Sequence, residues 1–236
     1  MRIWIVPELT LVVLMFFLVI TFQMASTAGE KNEAAGVNGA TAKILFEDDF
    51  SKGADKWTFT DANAWEAQKE GENGVLALKA RSKYKPAVRS PESIAWAKDL
   101  DVKSFVMDVC LKTTDTVGGG HQDMCLFFGR QDAEHFYYVH IAMKSDAHAN
   151  SIFIVNGKPR VSIAKERTKG TAWDKGYHVA RIVRDADTGV IEVYFDDMSK
   201  PIMKAEDKTF LSGPVGIGSF DNTGVFDYVR VWDRKP

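Results

Sequence analysis

The sequence carries no excess of charge of either sign. Its 30 Lys and Arg stand against 32 Asp and Glu, a formal net charge of −2 with a pI near 6.2. There is no basic field to attract a phosphate backbone, which excludes nucleic acid as the expected partner. Glycine and proline are also sparse, and 18 and 7 of them in 236 residues rule out a collagen-like chain. A disordered chain would be poorer in aromatics than the 11% present here. No window sustains an amphipathic 3.6-residue repeat beyond about two turns, and no longer internal repeat is visible.

Residues 1–28 read as a secretory signal. Arg2 gives a positive start, residues 9–22 (LTLVVLMFFLVITF) are apolar apart from two threonines, and residues 24–29 (MASTAG) offer Ser26 and Ala28 to a signal peptidase. At about 1.5 Å per residue the apolar run spans roughly 21 Å, short of a bilayer core of roughly 30 Å. The alternative, an uncleaved anchor recruiting Trp4 and Val6, is interrupted by Pro7 and Glu8. No Cys lies near the cleavage site, so a lipoprotein anchor is excluded too. The expectation is a secreted or periplasmic protein with no stable membrane anchor. Residues 29–43 (GEKNEAAGVNGATAK) read as a flexible linker, and one folded domain is expected over 44–236.

Within that domain short runs of alternating, β-branched and aromatic residues dominate. They cover residues 44–50, 75–79, 105–112, 123–129, 136–142, 151–156, 177–184, 189–196, 215–220 and 225–232. Turn residues separate them, as in Asn156-Gly157-Lys158-Pro159 and Asp187-Thr188-Gly189. Nine or ten strands at regular spacing imply an all-β fold, a two-sheet antiparallel sandwich that buries the apolar strand faces against each other.

Residues 44–50 (ILFEDDF), followed by Trp57, Trp65 and the phrase GVLAL at 74–78, resemble the opening of concanavalin A-like jelly-roll domains. Residues 136–141 (FYYVHI), 177–185 (YHVARIVRD), 189–195 (GVIEVYF) and 213–231 (GPVGIGSFDNTGVFDYVRV) are similar to laminin-G-like and 3-keto-disaccharide hydrolase-type members. The resemblance covers nearly all of residues 44–232. It implies a jelly roll associated with carbohydrate, in a superfamily that mixes hydrolases, lyases and binders. It also implies a structural calcium near Asp48, Asp49 and Asp227 on adjoining first and last strands, against the alternative of solvated edge carboxylates. The Glu-x-Asp-x-(x)-Glu run with which laminarinase-type glucanases aim two carboxylates at one glycosidic bond is missing. Of the Gln-Ile-His phrase of jelly-roll alginate lyases only His140-Ile141 remains.

Four of the five histidines, His121, His135, His140 and His148, fall between residues 121 and 148 among several carboxylates. If 123–129 and 136–142 form a hairpin, Asp123, Cys125 and Phe127 share a face with Tyr138 and His140. The other set, Met124, Leu126, Phe128, Tyr137, Val139 and Ile141, is more apolar and faces the core. The first face would then line a concave groove suited to a sugar. The candidate catalytic residues are His140, Asp123 and Tyr138, and the candidate substrate contacts are His121, Phe127, Asn150 and Arg181. The alternative is a set of half-buried strand residues satisfied by their neighbours. His121, Asp123 and His140 could also form a metal set, although no spacing compels it.

Cys110 and Cys125 fall on consecutive predicted strands, so either a cross-strand disulfide or two reduced small hydrophobes is expected. Gly118-Gly119-Gly120 lacks a following Lys-Ser or Lys-Thr and is no phosphate loop. Arg160, Lys165, Arg167 and Lys169 form a local basic group, read as a solvated loop or as contacts to an anionic glycan. Two functions from different classes follow. The first is an exported domain that binds or hydrolyses glycosides at the groove; the second is a non-catalytic adhesive module for a protein partner. A groove with Asp123, Tyr138 and His140 converging favours the first, and a face filled with apolar packing favours the second.

Overall fold

A computed structural model describes residues 42–114 and 122–234. The signal segment, all of the linker except residues 42 and 43, the triple glycine and His121 lie outside the described residues. Two antiparallel sheets hold sixteen strands among the described residues. The larger comprises β1 (Ile44–Asp48), β3 (Trp65–Glu70), β4 (Asn73–Leu78), β6 (Phe105–Thr113), β11 (Ala164–Arg167), β12 (His178–Arg184), β13 (Val190–Phe195), β14 (Met203–Glu206) and β16 (Gly224–Asp233). Its order is β11-β14-β13-β12-β6-β16-β4-β3, with β1 sharing the edge of β16. The smaller comprises β2 (Trp57–Phe59), β5 (Ser93–Ala97), β7 (Asp123–Phe128), β8 (His135–Ala142), β9 (Ser151–Asn156), β10 (Val161–Ser162) and β15 (Gly216–Ser219), in the order β10-β9-β8-β7-β15-β5-β2.

All ten expected segments fall on strands. The six further ones, β2, β3, β5, β10, β11 and β14, are two to six residues long. Sequences such as WEAQKE, AKER and MKAE carry little strand preference of their own, and pairing with a neighbour supplies it. On β15, Gly218 has φ +158° and a Cβ there would meet the carbonyl oxygen of Ser93 at 1.9 Å, so only glycine permits this approach to β5.

The core lies between the sheets. β12 (HVARIVR) and β13 (VIEVYF) alternate buried and partly exposed residues, the pattern of strands covered on one face. β7 differs, because all six of its residues are buried, as are seven of the eight in β8. Such strands need cover on both faces. Met124, Leu126, Phe128, Tyr137, Val139 and Ile141 fill the inter-sheet core, while Cys125, Phe127, Phe136 and Tyr138 belong to a separate cluster with Ile94, Trp96, Phe153 and Val155. The smaller sheet therefore carries a second apolar layer on its outer face.

Of the two alternatives for the cysteines, this arrangement excludes the cross-strand disulfide and leaves two reduced thiols. β6 and β7 lie in different sheets, and Val109 and Leu111 point into the core, which puts Cys110 on the outer face of the larger sheet. Cys125 faces outward from the smaller one, and both thiols are free. With a core roughly 10 Å thick between them, they are beyond disulfide reach. β1 does pair with β16, as expected for the first and last strands. Asp48 is no solvated edge carboxylate, since it is buried and accepts from the Phe50 N–H at 3.2 Å and the Trp57 Nε1–H at 2.8 Å.

Candidate functional site

β7 and β8 pair with Cys125 opposite His140 and Phe127 opposite Tyr138, so the expected shared face is present. His140 Nε2 lies 2.9 Å from Asp123 Oδ2, a close contact that is not aligned as a hydrogen bond. Asp123 Oδ1 accepts from Ser219 Oγ at 3.0 Å. Arg160, from the turn after β9, donates to Tyr138 OH and lies 3.3 Å from His140 Nδ1. A guanidinium only donates, so Nδ1 is the acceptor and Nε2 carries the ring proton.

This trio converges but is covered. His140 and Asp123 are each 4% exposed and Tyr138 is fully buried. Phe220 lies parallel to the imidazole at 6.0 Å, Phe153 stacks on Tyr138 at 5.1 Å, and the Arg160 guanidinium sits 4.2 Å from the centre of the Phe220 ring. Burial pushes the Tyr138 phenol well above its usual range against the opposing pull of Arg160. Burial, then the charge of Asp123, does the same to the Cys125 thiol. The two features expected to discriminate between functions thus occur together, a converging polar trio inside apolar packing.

Of the expected substrate contacts, Phe127 is on this face and fully buried. Arg181 is not at the site. Ala180 and Ile182 occupy the core, which turns Arg181 to the outer face of the larger sheet, where it clasps Asp108 at 2.6 and 2.7 Å. Asn150 is taken up by its own loop: fully buried at φ +49°, it donates to the Thr168 carbonyl at 3.1 Å and accepts from Thr171 Oγ1 at 3.3 Å. With His121 outside the described residues, the structure instead groups Asp123, Cys125 and His140, whose ligand atoms lie within 4.8 Å of one another. A metal on Nε2 would need the tautomer opposite to the one Arg160 imposes.

The outer layer opens at the other end of β8. A cleft of about 260 Å³ is lined by Thr58, Thr60, Tyr84, Trp96, Arg130 and Phe136 among others, and none of its lining residues is acidic. Phe136 and His140 are four residues apart on one strand, which puts the cleft roughly 13 Å from the imidazole. A more open depression of about 450 Å³ shares Thr58, Trp96 and Arg130 with it. Trp96 packs edge-on to Phe127 and Phe136 at 5.6 and 5.7 Å, so its ring is held from behind. Trp96, Tyr84 and Arg130 lie outside the ten expected strand segments; their signal in the sequence is a tryptophan in the short apolar run SIAWA beside a Tyr-bearing basic segment.

No protein-family model matches the chain, and no curated protein matches it in sequence. Solved structures do match. The fold is similar to the carbohydrate-binding module CBM66 from Bacillus subtilis, at 18% identity and a TM-score of 0.53, covering 75% of this chain and 96% of that one. It is similar to domain 4 of an extracellular arabinanase from Geobacillus stearothermophilus in complex with arabinotriose, at 11% identity and a TM-score of 0.52, over 81% and 93%. Peanut lectin matches at 14% identity with a TM-score of 0.52, over 80% of this chain and 97% of that one. These likenesses, with the two antiparallel sheets, show that the chain has the fold of a jelly-roll sandwich.

Proposed function

We propose that this chain is an exported, non-catalytic carbohydrate-binding domain, and that the cleft at Trp96 is where the saccharide sits. The observation that carries the reading is the lining itself. Indole, phenol and phenyl rings alternate with Thr and Ser hydroxyls around one small opening, the mixture that suits a sugar's C–H face and its hydroxyls. A volume just below the roughly 300 Å³ at which drug-sized pockets begin suits one sugar ring. The matching module, arabinanase domain and lectin support the same reading. Most glycoside hydrolases use a pair of carboxyl groups across the scissile bond. The cleft lining carries no acid, and the His140–Asp123 pair is covered by Phe220 and Arg160. The signal-like segment 1–28 supports export, with a mature N-terminus at Gly29 that the intact mass of the secreted protein would reveal.

The test is a glycan panel of neutral and acidic oligosaccharides, with calorimetry for binding and chromatography for products. Binding without product release, lost in Trp96→Ala while the variant stays folded, supports the reading. Released products overturn the non-catalytic assignment, and a panel with no binder overturns the saccharide assignment.

A further inference from the structure

Arg130 stands out in the cleft because nothing pairs with it. Among the described residues its side chain makes no hydrogen bond or ion pair, and its Nε is buried without a partner. Its guanidinium carbon lies 5.2 Å from the centre of the Trp96 ring, a cation–π contact. The backbone beneath it is fastened as well. Gln131 Nε2 donates to the Ser212 carbonyl at 2.7 Å and to the Gly129 carbonyl at 3.2 Å, and the Gln131 N–H donates to the His135 carbonyl at 2.8 Å. A cation with five donors therefore stands at the opening without an ion pair among the described residues.

The opposite case is found on the outer face of the larger sheet. There Arg181 meets Asp108 in a two-pronged pair, the usual fate of an arginine on a strand. Arg130 has no such carboxylate, and the residues that share its cleft supply none. The rim adds positive charge. Residues 79–90 (KARSKYKPAVRS) hold five basic residues and no acidic one, and this segment provides Tyr84 and Ser90 to the lining. Lys79 is paired with Glu66, and Arg81 and Lys85 share Glu92, whereas Lys83 and Arg89 are exposed with no ion pair among the described residues. Arg130 also lines the neighbouring depression, and Asp99 and Asp101 lie on that side of it. A negatively charged group would therefore be drawn to the Trp96–Tyr84 side of Arg130.

Resting on the saccharide reading above, we propose that the ligand is an acidic saccharide whose carboxylate or sulfate ester is gripped by Arg130 while its ring stacks on Trp96. A guanidinium matches the paired oxygens of either group, which a single lysine charge does not.

The experiment compares trigalacturonate, its methyl ester, a sulfated galactan oligosaccharide and neutral galactotriose by calorimetry at low and high salt. Trigalacturonate or the sulfated oligosaccharide should bind at least about tenfold tighter than galactotriose, and salt should narrow the gap. The two acidic arms distinguish carboxylate from sulfate. Arg130→Gln should remove the preference, and Arg130→Lys should keep only part of it. The methyl ester takes the charge from the ligand, so the comparison stands even if the Gln variant folds poorly. Equal binding of neutral and acidic sugars, unchanged in Arg130→Gln, overturns the anion proposal and leaves saccharide binding intact. Failure of all four ligands, with none found in a wider neutral panel, overturns the saccharide reading and this proposal with it.

Discussion

Trp57 donates its indole N–H to the Asp48 carboxylate at 2.8 Å, and both residues are buried. The bond ties β1 of the larger sheet to β2 of the smaller one at the start of the fold. Asp48 Oδ1 takes the Phe50 N–H at 3.2 Å, so a residue at φ +55° is stabilised by the same carboxylate. Trp57 also meets Phe46 edge-on at 5.4 Å, which explains why an acidic-Phe step followed by a tryptophan marks the beginning of this domain.

Replacing Trp57 with Phe keeps most of the ring packing but leaves one carboxylate oxygen of Asp48 buried without its donor. The expected cost is about 1–3 kcal/mol. For a domain of this size each kcal/mol lowers Tm by roughly 2–4 °C. Thermal unfolding of Trp57→Phe measures it directly, and an unchanged Tm would show that the bond is unimportant.

The two cysteines should be inert in the folded protein. Burial, with the nearby Asp227 charge, pushes the Cys110 thiol up to about 12, and burial pushes Cys125 well above its usual value. A thiol reagent at mild alkaline pH should find nothing to label until the protein is denatured, and then two thiols per chain without any reductant. Zero thiols after denaturation would mean a bridge that the placement on opposite outer faces forbids.

What the sequence reveals and what it hides divide along a physical line. Period-two alternation identifies β12 and β13 because one face of each is wet, and the β7–β8 register follows because the Met124 set is more apolar than the Asp123 set. That same hairpin misleads about exposure. Alternation cannot say whether the second face meets solvent or is covered by loops, and here Phe220, Arg160 and Val88 cover it. Cys110 and Cys125 show the corresponding limit for topology, since neighbours in sequence can enter different sheets. Arg130 and Tyr84 were hidden because each lies in a loop, brought together only by the packing around Trp96.

Acid sensitivity should trace to Asp185. It closes the turn between β12 and β13, accepting from the N–H groups of Asp187 at 3.0 Å and Thr188 at 3.1 Å, with Arg234 Nη1 at 2.6 Å. The Thr188 N–H, joined by Arg234 and then by the Thr188 hydroxyl, holds this carboxyl down at about 2 although burial pushes it the other way. The folded value lies below the unfolded one of about 3.9, so the stability it adds is complete above the unfolded value and is lost as pH falls towards 2. Asp185→Asn should therefore melt roughly 2–4 °C below the parent at neutral pH, with the two curves converging near pH 2. A gap that stays constant across that range would remove Asp185 from the account.

His140 gives the sharpest contrast between a groove catalyst and a buried strand residue. A catalyst lost by His140→Ala takes turnover with it and leaves the melting temperature almost unchanged. In this fold the imidazole is 4% exposed, parallel to Phe220 and 2.9 Å from Asp123. Its removal strands a buried carboxylate beside Ser219 and opens a hole under Arg160. Emptying the space of a large buried side chain costs about 2–5 kcal/mol, so Tm should fall by roughly 4 °C or more. The cleft at Trp96 lies roughly 13 Å along the strand, and the affinity for saccharide in the folded fraction should stay within about twofold of the parent. Calorimetry below the melting transition reads both quantities on one sample. A His140→Ala protein that melts like the parent but has lost its ligand or its turnover would return the functional site to the Asp123–His140 pair.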